Sequence, residues 1–136
     1  MKNTFIFSAI LLITVTLTSC DKNTSVHVYP VSINEITGKW LLVSGSGGIS
    51  GGPIAVTDHV STYTFNVDST FTFTPGQRAC KFHISMVKSI YDGQNHAYLT
   101  FSDYPDHGNL VNVKSDTLTL ADNYSDGYTY IYVKVK

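Results

Sequence analysis

The feature that most constrains the fold is a series of short segments in which apolar and polar residues alternate. In residues 60–67, Tyr63, Phe65 and Val67 alternate with Thr62, Thr64 and Asn66. Side chains two residues apart lie on the same face of a β-strand, so this pattern predicts a strand with one buried face. Turn residues, Asp92-Gly93 among them, separate further segments of this kind. The predicted strands span residues 40–43, 60–67, 70–74, 78–91, 95–103, 110–113, 117–120 and 128–135.

Eight short strands joined mainly by hairpin turns predict an all-β fold, an up-and-down antiparallel barrel, with a β-sandwich as the alternative. Closure of a barrel pairs the two edge strands that a flat sheet would expose. Ahead of the strands, Ser32 and Glu35 have the spacing of a capping box, which predicts one helical turn that ends at Gly38. We expect five large side chains to line the interior and any ligand there: Phe65, Phe71, Phe73, Phe82 and Phe101.

The amino-terminal residues have the layout of a secretory signal peptide. Lys2 precedes an apolar run over residues 5–17, and small residues then precede Cys20. The run is shorter than the roughly 20 residues that span a bilayer. The sequence Leu17-Thr18-Ser19-Cys20 resembles the lipobox of bacterial lipoproteins, which implies that Cys20 becomes acylated and forms the mature amino terminus.

This resemblance divides the chain into a signal peptide (1–19), a lipidated cysteine and tether (20–31) and one β-barrel domain (32–136). It implies a lipoprotein anchored in the envelope of a Gram-negative-type bacterium, and we expect the outer membrane or cell surface rather than the inner membrane. The formal net charge is −1 and no basic cluster occurs, so nucleic acid is not an expected partner. Lipidation of Cys20 leaves Cys80, which we expect to be a buried and inert thiol.

The segment Gly38-Lys39-Trp40, placed after the capped turn, resembles the Gly-x-Trp opening of lipocalins. The resemblance implies that the turn closes one end of an eight-stranded barrel, with Trp40 packed beneath it. It also implies a small hydrophobic or amphipathic ligand at the barrel mouth. The one arginine of the chain, Arg78, is in mid-sequence, so the late arginine that packs over this tryptophan in larger lipocalins has no counterpart.

Motifs for catalysis or metal binding are missing from the sequence. The glycine-rich residues 45–52 lack the Gly-Lys-Ser/Thr of a phosphate-binding loop, and they are interpreted either as a mobile cover for the barrel mouth or as a surface loop. The five histidines have no metal-ligand spacing, and Asp58-His59 and Asp106-His107 are interpreted as solvated loop residues. No serine lies in a nucleophile motif. We therefore expect a non-catalytic protein with no metal or cofactor.

A stripe of tyrosines on the last strand is the second candidate site. Tyr128, Tyr130 and Tyr132 share one face, and if Ile131 and Val133 face the core, the tyrosines face outward. Exposed tyrosines can stack on a sugar or a partner protein, or they can stabilise the sheet by cross-strand pairing. Two functions follow: a barrel that holds a small ligand, or an envelope interaction protein that contacts protein or glycan through this stripe and the loops.

Overall fold

A computed structural model describes residues 30–56, 61–74 and 78–136. The predicted signal peptide, Cys20, the tether up to residue 29 and the Asp58-His59 pair lie outside the described residues. The described part begins with α1 (Ile33–Ile36) and continues with eight strands: β1 (Gly38–Gly47), β2 (Thr62–Phe65), β3 (Thr70–Thr74), β4 (Arg78–Lys88), β5 (Asn95–Phe101), β6 (Tyr104–Lys114), β7 (Thr117–Asp122) and β8 (Tyr128–Lys134).

The strands form a closed barrel in chain order, and every neighbouring pair is antiparallel. β8 returns to pair with β1, for example Tyr132 with Leu42 and Lys134 with Trp40, so each of the eight described strands has a neighbouring strand on both sides. The predicted fold class, an all-β up-and-down barrel with one short helical turn, is confirmed. The β-sandwich alternative is excluded.

The capping box at the start of α1 is formed as predicted. The backbone N–H and the hydroxyl of Ser32 donate to the Glu35 carboxylate at 2.7 and 2.9 Å, and the Glu35 N–H donates to Ser32 Oγ at 3.4 Å. The bonds from the Ser32 backbone and hydroxyl lower the pKa of Glu35. These contacts satisfy amide donors that a four-residue helix cannot bond internally.

Trp40 closes the barrel end beneath α1. Its side chain is fully buried, and its Nε1–H donates to the carbonyl of Ile36 at 2.7 Å. The ammonium of Lys134, on β8, lies 5.0 Å from the centroid of the Trp40 ring. Lys134 therefore covers this ring, for which the sequence has no late arginine. Gly38 has φ of +132°, a backbone conformation that residues with side chains rarely adopt. This conformation favours a glycine where the chain enters β1.

Above this closure lies a packed layer of apolar side chains. Phe65, Leu99 and Leu118 are fully buried, and the Phe65 ring lies 5.0 Å from Phe71 and 5.3 Å from Phe82. Aromatic rings at these separations and inclined to one another pack favourably. This layer fills the barrel cross-section near α1 and closes the interior at that end.

Two predicted loops are strand in the structure. β1 continues to Gly47, so part of the glycine-rich segment belongs to the sheet, and β6 begins at Tyr104 instead of Leu110. The pairing of β5 with β6 shifts register between Thr100 and Phe101, and there a Cβ on Gly108 would lie 2.5 Å from the Leu99 carbonyl oxygen. The register shift explains why residues 104–108, whose composition is typical of a turn, belong to a strand. Irregularities of this kind bend a strand and often contain a glycine.

The outward orientation predicted for the tyrosine stripe is wrong. Tyr132 is 2% exposed, Tyr130 is half-buried, and Tyr128 and Tyr130 line a cavity. Tyr128 is 39% exposed at the rim of that cavity, and Ile131 on the opposite face is 37% exposed. The prediction placed the more apolar face in the core. In this half of the barrel the interior is a cavity rather than packed hydrocarbon, and tyrosine can bury its ring while its hydroxyl reaches a polar partner.

Candidate binding cavity

The barrel contains a cavity of about 620 Å³ on the side of the packed layer away from α1. Its wall follows from strand geometry, because side chains two positions apart share a face. Phe65 and Phe82 belong to the packed layer, and Tyr63 and Cys80, two positions away on the same strands, line the cavity. The described lining residues are Tyr63, Phe71, Phe73, Cys80, Tyr98, Phe101, Asp103, Tyr104, Asp106, His107, Gly108, Asn109, Asp122, Tyr124, Tyr128 and Tyr130.

The structure divides the five phenylalanines predicted to line a ligand. Phe71, Phe73 and Phe101 are in the cavity wall, whereas Phe65 and Phe82 are in the packed layer. All five face the interior, as the alternation of the strands predicts. The alternation does not predict how far along the barrel axis each side chain lies. The division depends on the register of eight strands, which no single segment specifies.

One wall of the cavity is a contiguous aromatic cluster. The Tyr63 ring lies 5.0 Å from Phe71 and 5.4 Å from Phe73, both edge to face, and 4.8 Å from the Tyr132 ring. Phe71 in turn lies 4.6 Å from Phe101. Mutual packing holds these rings in place, which would lower the ordering cost of binding a ligand there.

The glycines of β1 make room for the tyrosines of β8. A Cβ on Gly45 would lie 3.2 Å from Tyr130 Cδ1, and one on Gly47 would overlap the Gly127 carbonyl oxygen. The rings of Tyr128 and Tyr130, two positions apart on the same face of β8, stack with their centroids 6.2 Å apart. The next residue, Gly48, donates its N–H to the Gly127 carbonyl at 3.3 Å, so the glycine-rich segment packs beside the cavity rim.

Asp122 is the most embedded acid of the cavity. Its Oδ1 accepts from Asn109 Nδ2 at 2.8 Å, and its Oδ2 accepts from the Tyr128 N–H at 2.8 Å. A hydrogen bond to Asp122, together with its charge, raises the pKa of Tyr124. Burial, and then the same carboxylate, raises the pKa of Tyr130. Both effects oppose ionisation of the phenols near Asp122.

Residues without a recognisable motif hold this part of the wall. The Tyr91 hydroxyl lies 3.0 Å from the Asp122 carbonyl oxygen and 2.9 Å from that of Tyr124. Asn123 Oδ1 accepts from the Ile90 N–H at 2.9 Å, and its Nδ2 donates to the Lys88 carbonyl at 3.1 Å. These bonds join turns more than 30 residues apart in the chain, and a lone tyrosine beside Asp92-Gly93 gives no signal of such a role.

Other candidate groups are placed as follows. Cys80 is half-buried in the cavity wall rather than fully buried. Asp106 and His107 are exposed residues at the cavity and belong to β6 instead of a loop. Within the described residues, no group of three or more His, Cys, Asp or Glu side chains has an arrangement that would hold a metal ion. No helix among these residues has the length and apolar character needed to cross a membrane.

The geometry defines a class, a closed eight-stranded antiparallel barrel with an aromatic cavity at one end. Comparison of the chain with family models, with curated proteins and with solved structures gave no match in any of the three.

Proposed function

We propose that this chain is a non-catalytic binding protein that holds one small hydrophobic or amphipathic molecule inside its barrel. The observation that carries the proposal is the cavity of about 620 Å³, whose wall is mainly aromatic. Small-molecule sites typically measure roughly 300–1,000 Å³ and combine apolar walls with a few polar groups. The cavity meets solvent at Tyr104 and Tyr124, which are each 52% exposed, so this side offers an entry path.

The arrangement at the opposite end supports the same proposal. Trp40, Ile36 and the phenylalanine layer close the barrel there, in the manner that the likeness to lipocalins implies. An eight-stranded barrel can either be filled by its own side chains or hold one small ligand. Here the packed layer supplies much of the buried apolar surface, which leaves the remaining interior free for a ligand.

The test is to bind a neutral fluorescent probe, N-phenyl-1-naphthylamine, to the purified full-length chain. Cys80→Phe places a ring in the cavity. We expect this variant to bind the probe at least about tenfold more weakly, because the added ring occupies space that the probe needs and a packed interior adjusts to extra volume only at a cost in free energy. Ala79→Phe is the matched control, because Ala79 is exposed and its side chain lies on the other face of β4. Equal binding by the wild type and both variants, with no small molecule detected by native mass spectrometry, would refute the proposal.

We further propose that acylated Cys20 anchors the protein in the envelope, at the outer membrane or cell surface. Each acyl methylene contributes about 0.8 kcal/mol when it enters the bilayer, so several chains would retain the protein without a membrane span. Cys20→Ser should move the protein from the membrane fraction to the soluble fraction, whereas Cys80→Ser should leave it in the membrane. Protease treatment of intact cells then reports surface exposure. A Cys20→Ser protein that stays membrane-bound would contradict the anchor.

A further inference from the structure

The cavity wall contains carboxylates on which the ligand class depends. Asp106 and Asp122 line it, together with the imidazole of His107 and the amide of Asn109. Six tyrosines and three phenylalanines complete most of the lining. Aromatic faces carry negative electrostatic potential, so the carboxylates and the rings favour the same ligand charge.

We propose that the ligand is an organic cation with an apolar part, such as a primary or quaternary amine, bound with its positive group among the tyrosines and aspartates. The proposal rests on the binding function proposed above and specifies its ligand class. The apolar part would contact Phe71, Phe73 and Phe101, which lie beside the packed layer. The cationic group would lie near Asp122, Tyr124 and Tyr130, where rings and a carboxylate meet.

The position of Asp122 supports this assignment. Its carboxylate is half-buried and is held in place by the bonds from Asn109 and the Tyr128 N–H. A hydrogen bond to Asp122 and then its charge raise the pKa of Tyr124, and burial and then the same charge raise the pKa of Tyr130, as expected where the field disfavours negative groups. The same field lowers the free energy of a cation at that place, and partial exclusion of water strengthens the effect.

Asp106 extends the negative field to the cavity mouth. It is exposed and close in sequence to Tyr104, whose ring also lines the cavity. Exposed charges of this kind contribute little to affinity individually but attract an oppositely charged ligand toward the entrance. The attraction should weaken as ionic strength rises, because salt screens exposed charges.

The test uses three probes that share one alkyl chain and differ in the head group: n-octyltrimethylammonium, n-octyl β-D-glucoside and n-octyl sulfate. Each is added below its micelle concentration to the full-length chain, and displacement of N-phenyl-1-naphthylamine is measured. We expect the ammonium to bind at least about tenfold more tightly than the sulfate, and more tightly than the glucoside. The glucoside separates recognition of a cation from recognition of a sugar by the same tyrosines.

Charge variants locate the effect. Asp122→Asn should weaken ammonium binding by about three- to tenfold and Asp106→Asn by about two- to threefold, and each should weaken ammonium binding more than glucoside binding. The matched control is Asp116→Asn, which removes the same charge at an exposed pair with Lys136 outside the cavity, and it should change nothing. Because Asp122 is hydrogen-bonded within the wall, circular dichroism is used to check that the Asp122→Asn variant is folded. If it is not folded, the Asp106→Asn variant alone tests the preference for a cation.

The outcomes separate the two proposals. Equal or tighter binding of the glucoside or the sulfate would overturn the cationic ligand and leave the binding function intact. An Asp116→Asn effect as large as that of Asp106→Asn would also overturn it, because the preference would then come from net charge alone. If neither the fluorescent probe nor any octyl probe binds, the binding function fails, and the ligand class fails with it.

Discussion

The burial of Tyr132 predicts a specific loss of stability at alkaline pH. Its side chain is 2% exposed and its ring lies 4.8 Å from that of Tyr63. Burial, the neighbouring Tyr63 charge and a hydrogen bond with Tyr63 raise the pKa of Tyr132 far above its usual range. The folded protein therefore keeps this proton at a pH at which an unfolded tyrosine, with a pKa of about 10, has lost it.

The sign follows from proton linkage. Above pH 10 the folded state binds more protons than the unfolded state, so the free energy of unfolding decreases as pH rises. The slope approaches about 1.4 kcal/mol per pH unit, which gives a loss of about 1.4 kcal/mol between pH 8 and pH 11 from this residue. The contribution is fully present below pH 10.

The perturbation is Tyr132→Phe, assayed by urea unfolding from pH 8 to pH 11 with circular dichroism. At pH 8 the variant should be about 1 kcal/mol less stable, since it loses the hydrogen bond with Tyr63. By pH 11 the difference in the free energy of unfolding between the wild type and the variant should have closed. The reason is that only the wild type has a phenol at position 132 that loses its proton when the chain unfolds. Phe65→Leu is a control that is destabilised without a titrating group, and its deficit should stay constant. A constant gap between wild type and Tyr132→Phe would refute the buried, neutral phenol.

Two further predictions concern the closed end and the β6 irregularity. Trp40→Phe should lower the free energy of unfolding by about 2–4 kcal/mol, because it opens a void and leaves the Ile36 carbonyl without its donor; a loss below about 1 kcal/mol in urea unfolding would contradict this. Gly108→Ala should cost about 1–3 kcal/mol, since its Cβ would lie 2.5 Å from the Leu99 carbonyl oxygen. Gly52→Ala, which meets nothing closer than 3.4 Å, is the neutral control, and equal melting temperatures would disprove the crowding.

The sequence predicted the barrel well because each strand has its own alternation. Tyr63 and Phe65, like Phe71 and Phe73, share a face, and Ser32 and Glu35 form the capping box, so these are local properties that a short window contains. The eight-strand count followed from the turns between them. Boundaries were predicted less well where glycines continue a strand, because glycine is compatible with both strand and turn.

The cavity could not be predicted in the same way. Tyr128, Tyr130 and Tyr132 alternate with Ile131 and Val133, so either face of β8 satisfies the binary pattern. The choice between the faces depends on the partners of β8: Gly45 and Gly47 on β1 leave space for the tyrosine rings. This fit between the glycines of β1 and the tyrosines of β8 forms only when the first strand pairs with the last and closes the barrel. It therefore cannot be predicted from the sequence of either strand alone.

On several strands, a residue of the packed layer and a residue of the cavity wall lie two positions apart. On β2, Phe65 packs with Trp40 in the closed end, whereas Tyr63, two residues away, lines the cavity; Leu99 and Phe101 on β5 are related in the same way. Large changes in the cavity are therefore expected to cost less stability than equal changes in the packed layer, because a wall residue already borders empty space. Ligand specificity can then be altered at positions such as Asp106 without endangering the fold, whereas a substitution at Phe65 would affect every strand that contacts its ring.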